Sequence, residues 1–151
     1  MMTMNEICKV VIIDDDYTAI EDLKKGLAVY SDMLIKGTAV NGAKGRKMIM
    51  EQRPDLLFLD IELPDMLGIR LLSDMREEVV WDMKVVFYTA YDKYLLQALR
   101  ESAFDYLLKP FTTEELDGTI ERYRKAMVTH QVTPSFSASI AALLPQRDTV
   151  V

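Results

Sequence analysis

Ile7-Cys8-Lys9-Val10-Val11-Ile12-Ile13-Asp14-Asp15-Asp16, near the start of the chain, is a largely β-branched run that stops abruptly at three carboxylates. A strand with one wet face alternates apolar and polar residues. Residues 7–13 do not, so they read as a central strand of a parallel sheet, covered on both faces by helices. Residues 17–30 follow with Ile20, Leu23, Leu27 and Tyr30 at helical spacing. A buried strand feeding an amphipathic helix is the unit of an α/β fold, and the acids fall at the turn between them.

The alternation recurs four more times. Residues 33–40 form a weaker second strand, and residues 43–52 a short helix with Met48 and Ile49 inward, closed by Pro54. Residues 56–59 give a third strand. After a loop with Pro64 and Gly68, Ile69, Leu72 and Met75 supply the next helical stripe. The fourth strand is expected at 84–88, and a helix at 91–102 carries Leu95, Leu96 and Leu99 on one side. The fifth strand, 104–108, is stopped by Pro110. Thr112 or Thr113 can cap a last helix, with Glu115 near the capping-box position and Leu116, Ile120, Tyr123 and Met127 as its core face. This α/β pattern, a (βα)5 doubly wound five-stranded parallel sheet, is complete by about residue 128. Residues 6–128 are therefore expected to be one domain. Residues 129–151, with Pro134 and Pro145, are expected to be a linker or C-terminal tail, free, packed back, or leading to an output domain.

Composition narrows the chemistry. Half of the 151 residues are hydrophobic and 28% are charged, the balance of a chain that buries a core. A net charge of −6, with Lys and Arg in pairs and not in patches, excludes direct nucleic acid binding by this chain. No apolar stretch approaches the roughly 20 residues of a membrane span, and the first residues lack the features of a signal peptide. No membrane association and a cytoplasmic location are expected. Cys8, the one cysteine, reads as a small buried hydrophobe, and His130, the one histidine, lies outside any acidic cluster. Histidine-based metal sites and triads fall away. Carboxylates, hydroxyls and lysines remain.

In a parallel α/β sheet every strand ends at the same edge, where ligands bind. Asp14, Asp15 and Asp16 follow the first strand, Asp60 follows the third, Thr89 ends the fourth and Lys109 ends the fifth. Two carboxylates about 4 Å apart repel by roughly 4 kcal/mol at an effective dielectric near 20, so such a cluster calls for a cation. Oxygen ligands alone suit Mg²⁺, with Mn²⁺ as the alternative. A carboxylate beside such an ion can attack phosphorus and form an acyl phosphate. Lys109 is placed to neutralise the transferring oxygens, Thr89 to donate a hydrogen bond to one, and Ala90 leaves room for it.

Four ordered stretches carry a family resemblance. They are Val10-Val11-Ile12-Ile13-Asp14-Asp15-Asp16, Leu57-Phe58-Leu59-Asp60-Ile61-Glu62-Leu63-Pro64-Asp65-Met66-Leu67-Gly68, Thr89-Ala90, and Asp105-Tyr106-Leu107-Leu108-Lys109-Pro110-Phe111. Over residues 6–128 the chain resembles the receiver domains of two-component response regulators. That resemblance implies a flavodoxin-like strand order, 2-1-3-4-5, and a signalling module in place of an enzyme. Asp60 would accept a phosphoryl group from a sensor histidine kinase. Asp15 would bind the metal directly, Asp14 mainly through water, and Glu62 through its backbone carbonyl. Lys109 would pair with the phosphoryl group, and its bond to Pro110 would be cis. Thr89 and Tyr106 would be the switch pair, read out on the 91–102 helix, the fifth strand and the last helix. That face bears Leu95, Leu96, Leu99, Arg100, Glu101, Glu121 and Arg122, so a receiver homodimer is a further expectation. Residues 103–111 and 19–23 look most like receivers fused to LytTR-type DNA-binding domains, which makes transcription regulation the expected output.

Competing readings attach to several positions. Asp16 suits a helix N-cap better than a metal ligand. Tyr106 alone is equally a core aromatic, and Thr89 alone a strand end. Glu62 departs from the amides common two residues after the acceptor, and Tyr91, two residues after Thr89, is large. Both are expected to tune the lifetime of the acyl phosphate by controlling in-line water. Asp14-x-Asp16-x-Thr18 also matches the nucleophile motif of haloacid-dehalogenase-like phosphatases. A small Mg²⁺-dependent phosphatase using Asp14 is thus the alternative, although it leaves Asp60 without a role. A flavodoxin-like cofactor module would need a phosphate cradle where the three acids stand.

Overall fold

The opening apolar run becomes β1 (Cys8–Ile13), flanked by β2 (Met33–Ala39) and β3 (Leu56–Leu59), with β4 (Lys84–Thr89) and β5 (Asp105–Leu108) beyond. These assignments come from a computed structural model that describes residues 6–90, 93 and 103–129. All four strand pairings are parallel and the order is β2-β1-β3-β4-β5, the order the resemblance implied. Four described helices connect and cover the strands: α1 (Tyr17–Leu27), α2 (Gly42–Gln52), α3 (Gly68–Met75) and α4 (Thr113–Thr129).

The strand period of two separates the sheet's side chains into two cores. Val11, Ile13, Leu57, Leu59 and Phe87 cluster with Ile49 of α2 and with Ile69, Leu72 and Met75 of α3. Val10, Ile12, Leu56, Phe58 and Tyr88 cluster with Ile20, Leu23 and Leu27 of α1 and with Leu116, Ile120 and Tyr123 of α4. Cys8 lies in this second core, where burial pushes its thiol up to about 12, so it is a packing residue. No helix among the described residues is long and apolar enough to cross a membrane.

Element ends depart from the pattern for local reasons. The helix expected through residue 30 stops at Leu27. Tyr30 N–H closes a turn on the Leu27 carbonyl at 3.0 Å, and its hydroxyl donates to Asp117 at 2.9 Å. Asn41 caps α2 by accepting from Lys44 N–H at 2.8 Å, so that helix begins at Gly42. Thr112, and not Thr113, closes the capping box. Its Oγ1 accepts from Glu115 N–H at 3.1 Å, and Glu115 Oε1 accepts from Thr112 N–H at 3.0 Å. Asp16 is the N-cap of α1, accepting from Thr18 N–H at 2.9 Å. The helix expected at 91–102, with Tyr91 and the leucines assigned to it, and residues 130–151 lie outside the described residues, Lys93 excepted.

One topological feature positions the site. From β1 the chain moves outward to β2, then returns on the other side of β1 as β3. Ile13 is thus partnered by Ala39 on one side and Leu59 on the other. The crevice beyond Ile13 and Leu59 is the switch point of the sheet, where open α/β folds bind ligands.

Candidate functional site

Two backbone hydrogen bonds carry the sheet one residue past the strands. Asp14 N–H donates to the Ala39 carbonyl and Asp60 N–H to the Ile13 carbonyl, each at 2.9 Å. The two aspartates therefore stand side by side at the switch point. Asp14 is fully buried, Asp60 is 6% exposed, and Asp15 faces solvent. One carboxylate oxygen from each of Asp14, Asp15 and Asp60 lies within 4.8 Å of the others. Local turns hold two of these groups. Asp14 Oδ1 accepts from Asp16 N–H at 2.9 Å, and Asp60 Oδ1 accepts from Glu62 N–H at 3.3 Å.

β5 delivers the cation. Lys109 N–H donates to the Thr89 carbonyl at 2.8 Å, which fixes the lysine to the end of β4, and its bond to Pro110 is cis. Its Nζ lies 2.7 Å from Asp14 Oδ2, 3.4 Å from Asp60 Oδ2 and 5.2 Å from the Tyr88 ring centroid. Asp14 Oδ2 has this ammonium beside it without an aligned hydrogen bond, and it is fully enclosed.

Burial dominates the electrostatics. It pushes the Asp14 carboxyl up to about 6, with the Asp60 charge adding to the rise, while Lys109 and the Asp16 N–H pull down without prevailing. For Lys109, burial works against the charge, but Asp14 first and Asp60 second more than offset it, and its pKa is raised. Three carboxylates and one ammonium leave two negative charges in the crevice. An enclosed carboxylate oxygen with unmet capacity, in an all-oxygen donor set of net charge −2, fits a hard dication such as Mg²⁺ or Mn²⁺.

The remaining expected residues fall around this cluster. Thr89 is fully buried at the end of β4. Tyr106 is half-buried on β5, opposite Phe87, and packs against the core under α2 and α3. The Glu62 carboxylate is half-buried and lies 3.9 Å from the Lys93 ammonium, a neighbour the sequence did not single out. Asp16 is turned to its capping role and is not part of the cluster.

Two residues of the loop after Asp60 gain a role only from the structure. A Cβ on Gly68 would collide with the Asp60 backbone carbonyl, so that close approach requires glycine. Asp65 accepts from Gly42 N–H at 2.7 Å and Ala43 N–H at 3.0 Å, at the N-terminus of α2. These donors, Gly42 first, hold its carboxyl below the usual carboxylate range. The sequence offered only an Asp between Pro64 and Gly68 as a signal.

Residues 10–121 match the family described as the response regulator receiver domain. An uncharacterized response regulatory protein of Vibrio cholerae is 46% identical over 112 residues, 74% of this chain and 46% of that protein. Transcriptional regulatory protein BtsR of Escherichia coli K12 is 39% identical over 117 residues, 78% of this chain and 48% of that protein. The chain thus spans about half the length of the curated relatives it matches. Among solved structures, the REC domain of AraT from Geobacillus stearothermophilus superimposes with a TM-score of 0.74 at 26% identity, covering 83% of this chain and 98% of that one. The response regulatory domain of mrkE from Klebsiella pneumoniae gives 0.67 at 28% identity, covering 80% and 96%.

Proposed function

The chain belongs to the response regulator receiver domain family, and on that premise we propose that it is a phosphorylation-dependent signalling module whose Asp60 takes a phosphoryl group from a sensor histidine kinase. The observation that carries this reading is the placement of Lys109 Nζ between Asp14 and Asp60, at 2.7 and 3.4 Å, with the Asp15 carboxylate in the same cluster. Asp14, Asp15 and Asp60, with the backbone carbonyl of Glu62, would hold Mg²⁺ or Mn²⁺. When bound, the ion supplies neutralisation of the phosphoryl oxygens.

In the transfer, an Asp60 carboxylate oxygen attacks phosphorus. The O–P bond forms, the P–N bond to the donor imidazole breaks, and the imidazole nitrogen leaves with the electron pair. Lys109 offsets charge on the transferred oxygens from where it already stands. The Thr89 hydroxyl donates to one of those oxygens, and Tyr106 turns inward to fill the space Thr89 leaves. Glu62 and Tyr91 control water approaching in line, and so the lifetime of the acyl phosphate. The receiver thereby assists its own phosphorylation and dephosphorylation. We read residues 6–128 as the receiver and 129–151 as linker or tail, in a cytoplasmic regulator of the LytTR type. A phosphatase using Asp14 is not supported, since that carboxylate is fully buried beneath Lys109.

Incubation with Mg²⁺ and a small acyl-phosphate donor, followed by intact mass and peptide mapping, tests the reading. One phosphoryl adduct on Asp60, absent in Asp60→Asn, is expected. Modification of Asp14, or steady turnover of phosphomonoesters, would overturn it.

A further inference from the structure

The acceptor loop, residues 60–68, needs something to fix its outer half. Its internal bonds are the Gly68 N–H to the Ile61 carbonyl at 2.6 Å, the Leu63 N–H to the Met66 carbonyl at 3.2 Å, and an isolated bridge between Glu62 and Leu67. Those bonds close the loop on itself, and Ile61 and Leu63 bury its inner half against the sheet, which leaves the tip around Asp65 to be fixed. The tip is tied outward at Asp65, whose carboxylate takes two N–H groups of α2 at 2.7 and 3.0 Å. Met66 beside it leaves no room for a Cβ on Gly42, so side-chain packing and hydrogen bonds join the same two elements. The α2 N-terminus is itself set independently, by Asn41 on Lys44 N–H at 2.8 Å.

We infer that Asp65 is a positioning residue for the metal site: by clamping the loop tip to α2 it sets where Glu62 presents its backbone carbonyl and where Asp60 aims its carboxylate. The inference rests on the metal-assisted reading above. It concerns an acid that touches neither the ion nor the phosphoryl group. A carboxylate accepting two amides at a helix N-terminus is a strong tie. Outer groups that orient metal ligands govern affinity as well as stability.

Mg²⁺ affinity by titration calorimetry and the thermal midpoint of the metal-free protein, measured on the full chain, separate this role from simple helix capping. Asp65→Ala is expected to weaken Mg²⁺ binding about tenfold, at the low end of what outer supports of metal ligands contribute. Asn41→Ala, which removes a cap of the same helix without touching the loop, should lower the midpoint similarly and keep Mg²⁺ affinity within about twofold of the parent. Asp65→Asn, which keeps one acceptor, should fall between. Equal Mg²⁺ affinity in Asp65→Ala and the parent overturns the inference while the Asp60 adduct still supports the function. Equal weakening in Asn41→Ala also overturns it, because any loss of an α2 cap would then suffice. A parent that binds no Mg²⁺ overturns both.

Discussion

Two ion pairs of equal length behave in opposite ways. Lys109 Nζ lies 2.7 Å from Asp14, and Arg124 Nη2 lies 2.7 Å from Asp32. The Arg124 hydrogen bonds hold Asp32 below the usual carboxylate range, yet Asp14 is pushed up to about 6. Arg124 grips both Asp32 oxygens, Nε at 3.0 Å and Nη2 at 2.7 Å, and the Asp32 side chain keeps 21% of its exposure. Asp14 has none, shares its lysine with Asp60, and has one oxygen without a hydrogen bond. Distance alone does not decide what a pair contributes. Depth, alignment and like-charged neighbours do, and a buried pair that lacks alignment fails to recover its desolvation cost. The Arg124 pair braces the fold, whereas the Lys109 pair keeps a carboxylate under-satisfied where a dication would bind.

The largest expected effect tests this directly through pH. A carboxyl whose folded value lies above its unfolded one binds its proton more tightly when folded. Its contribution to stability is fully present below the unfolded value and is lost as pH rises through about 6. Between the ordinary 3.8 and about 6, Asp14 accounts for about 3 kcal/mol at 1.4 kcal/mol per pH unit. Denaturant unfolding of metal-free protein should therefore show stability rising relative to Asp14→Asn as pH falls from about 6 toward 4, with the rise erased by saturating Mg²⁺. A metal-free protein that gains nothing relative to that variant over that range would contradict the contrast. Next in size, Asp14→Asn should raise metal-free stability at pH 7 by about 1–2 kcal/mol, because it deletes a desolvated charge and leaves Lys109 with Asp60. Arg124→Met should lower it by about 1 kcal/mol, a figure reduced for solvent screening of a partly exposed pair. Matching signs for the two variants in chemical denaturation would break the comparison. Smallest, Tyr30→Phe removes the hydroxyl donated to Asp117 and should cost about 0.5 kcal/mol in the same assay.

The strands were legible because a parallel sheet buried on both faces writes itself as continuous apolar runs, and residues 10–13 and 56–59 are such runs. The acid cluster was legible for a related reason: strand ends share an edge, so Asp14, Asp60, Thr89 and Lys109 had to converge. What could not be read depends on distances across the fold. Nothing in the order of residues says that Lys109 sits closer to Asp14 than to Asp60, or that Asp65 reaches an amide 23 residues away. The end of α1 was missed by three residues because helical periodicity continues through Tyr30. The chain turns there to send that side chain toward α4.

The gathering of the site from strands distant in sequence also sets when it comes into being. Lys109 is 49 residues from Asp60 and arrives with β5, the last strand of this sheet in chain order. Contacts of such separation carry a loop-closure cost and form late. A nascent chain that has emerged only through β4 holds the acids of β1 and β3 without their lysine, so self-repulsion opposes closing the crevice. Completion of the sheet and completion of the proposed acceptor site then coincide, and a chain lacking β5 is expected to lack the ammonium that joins Asp14 and Asp60.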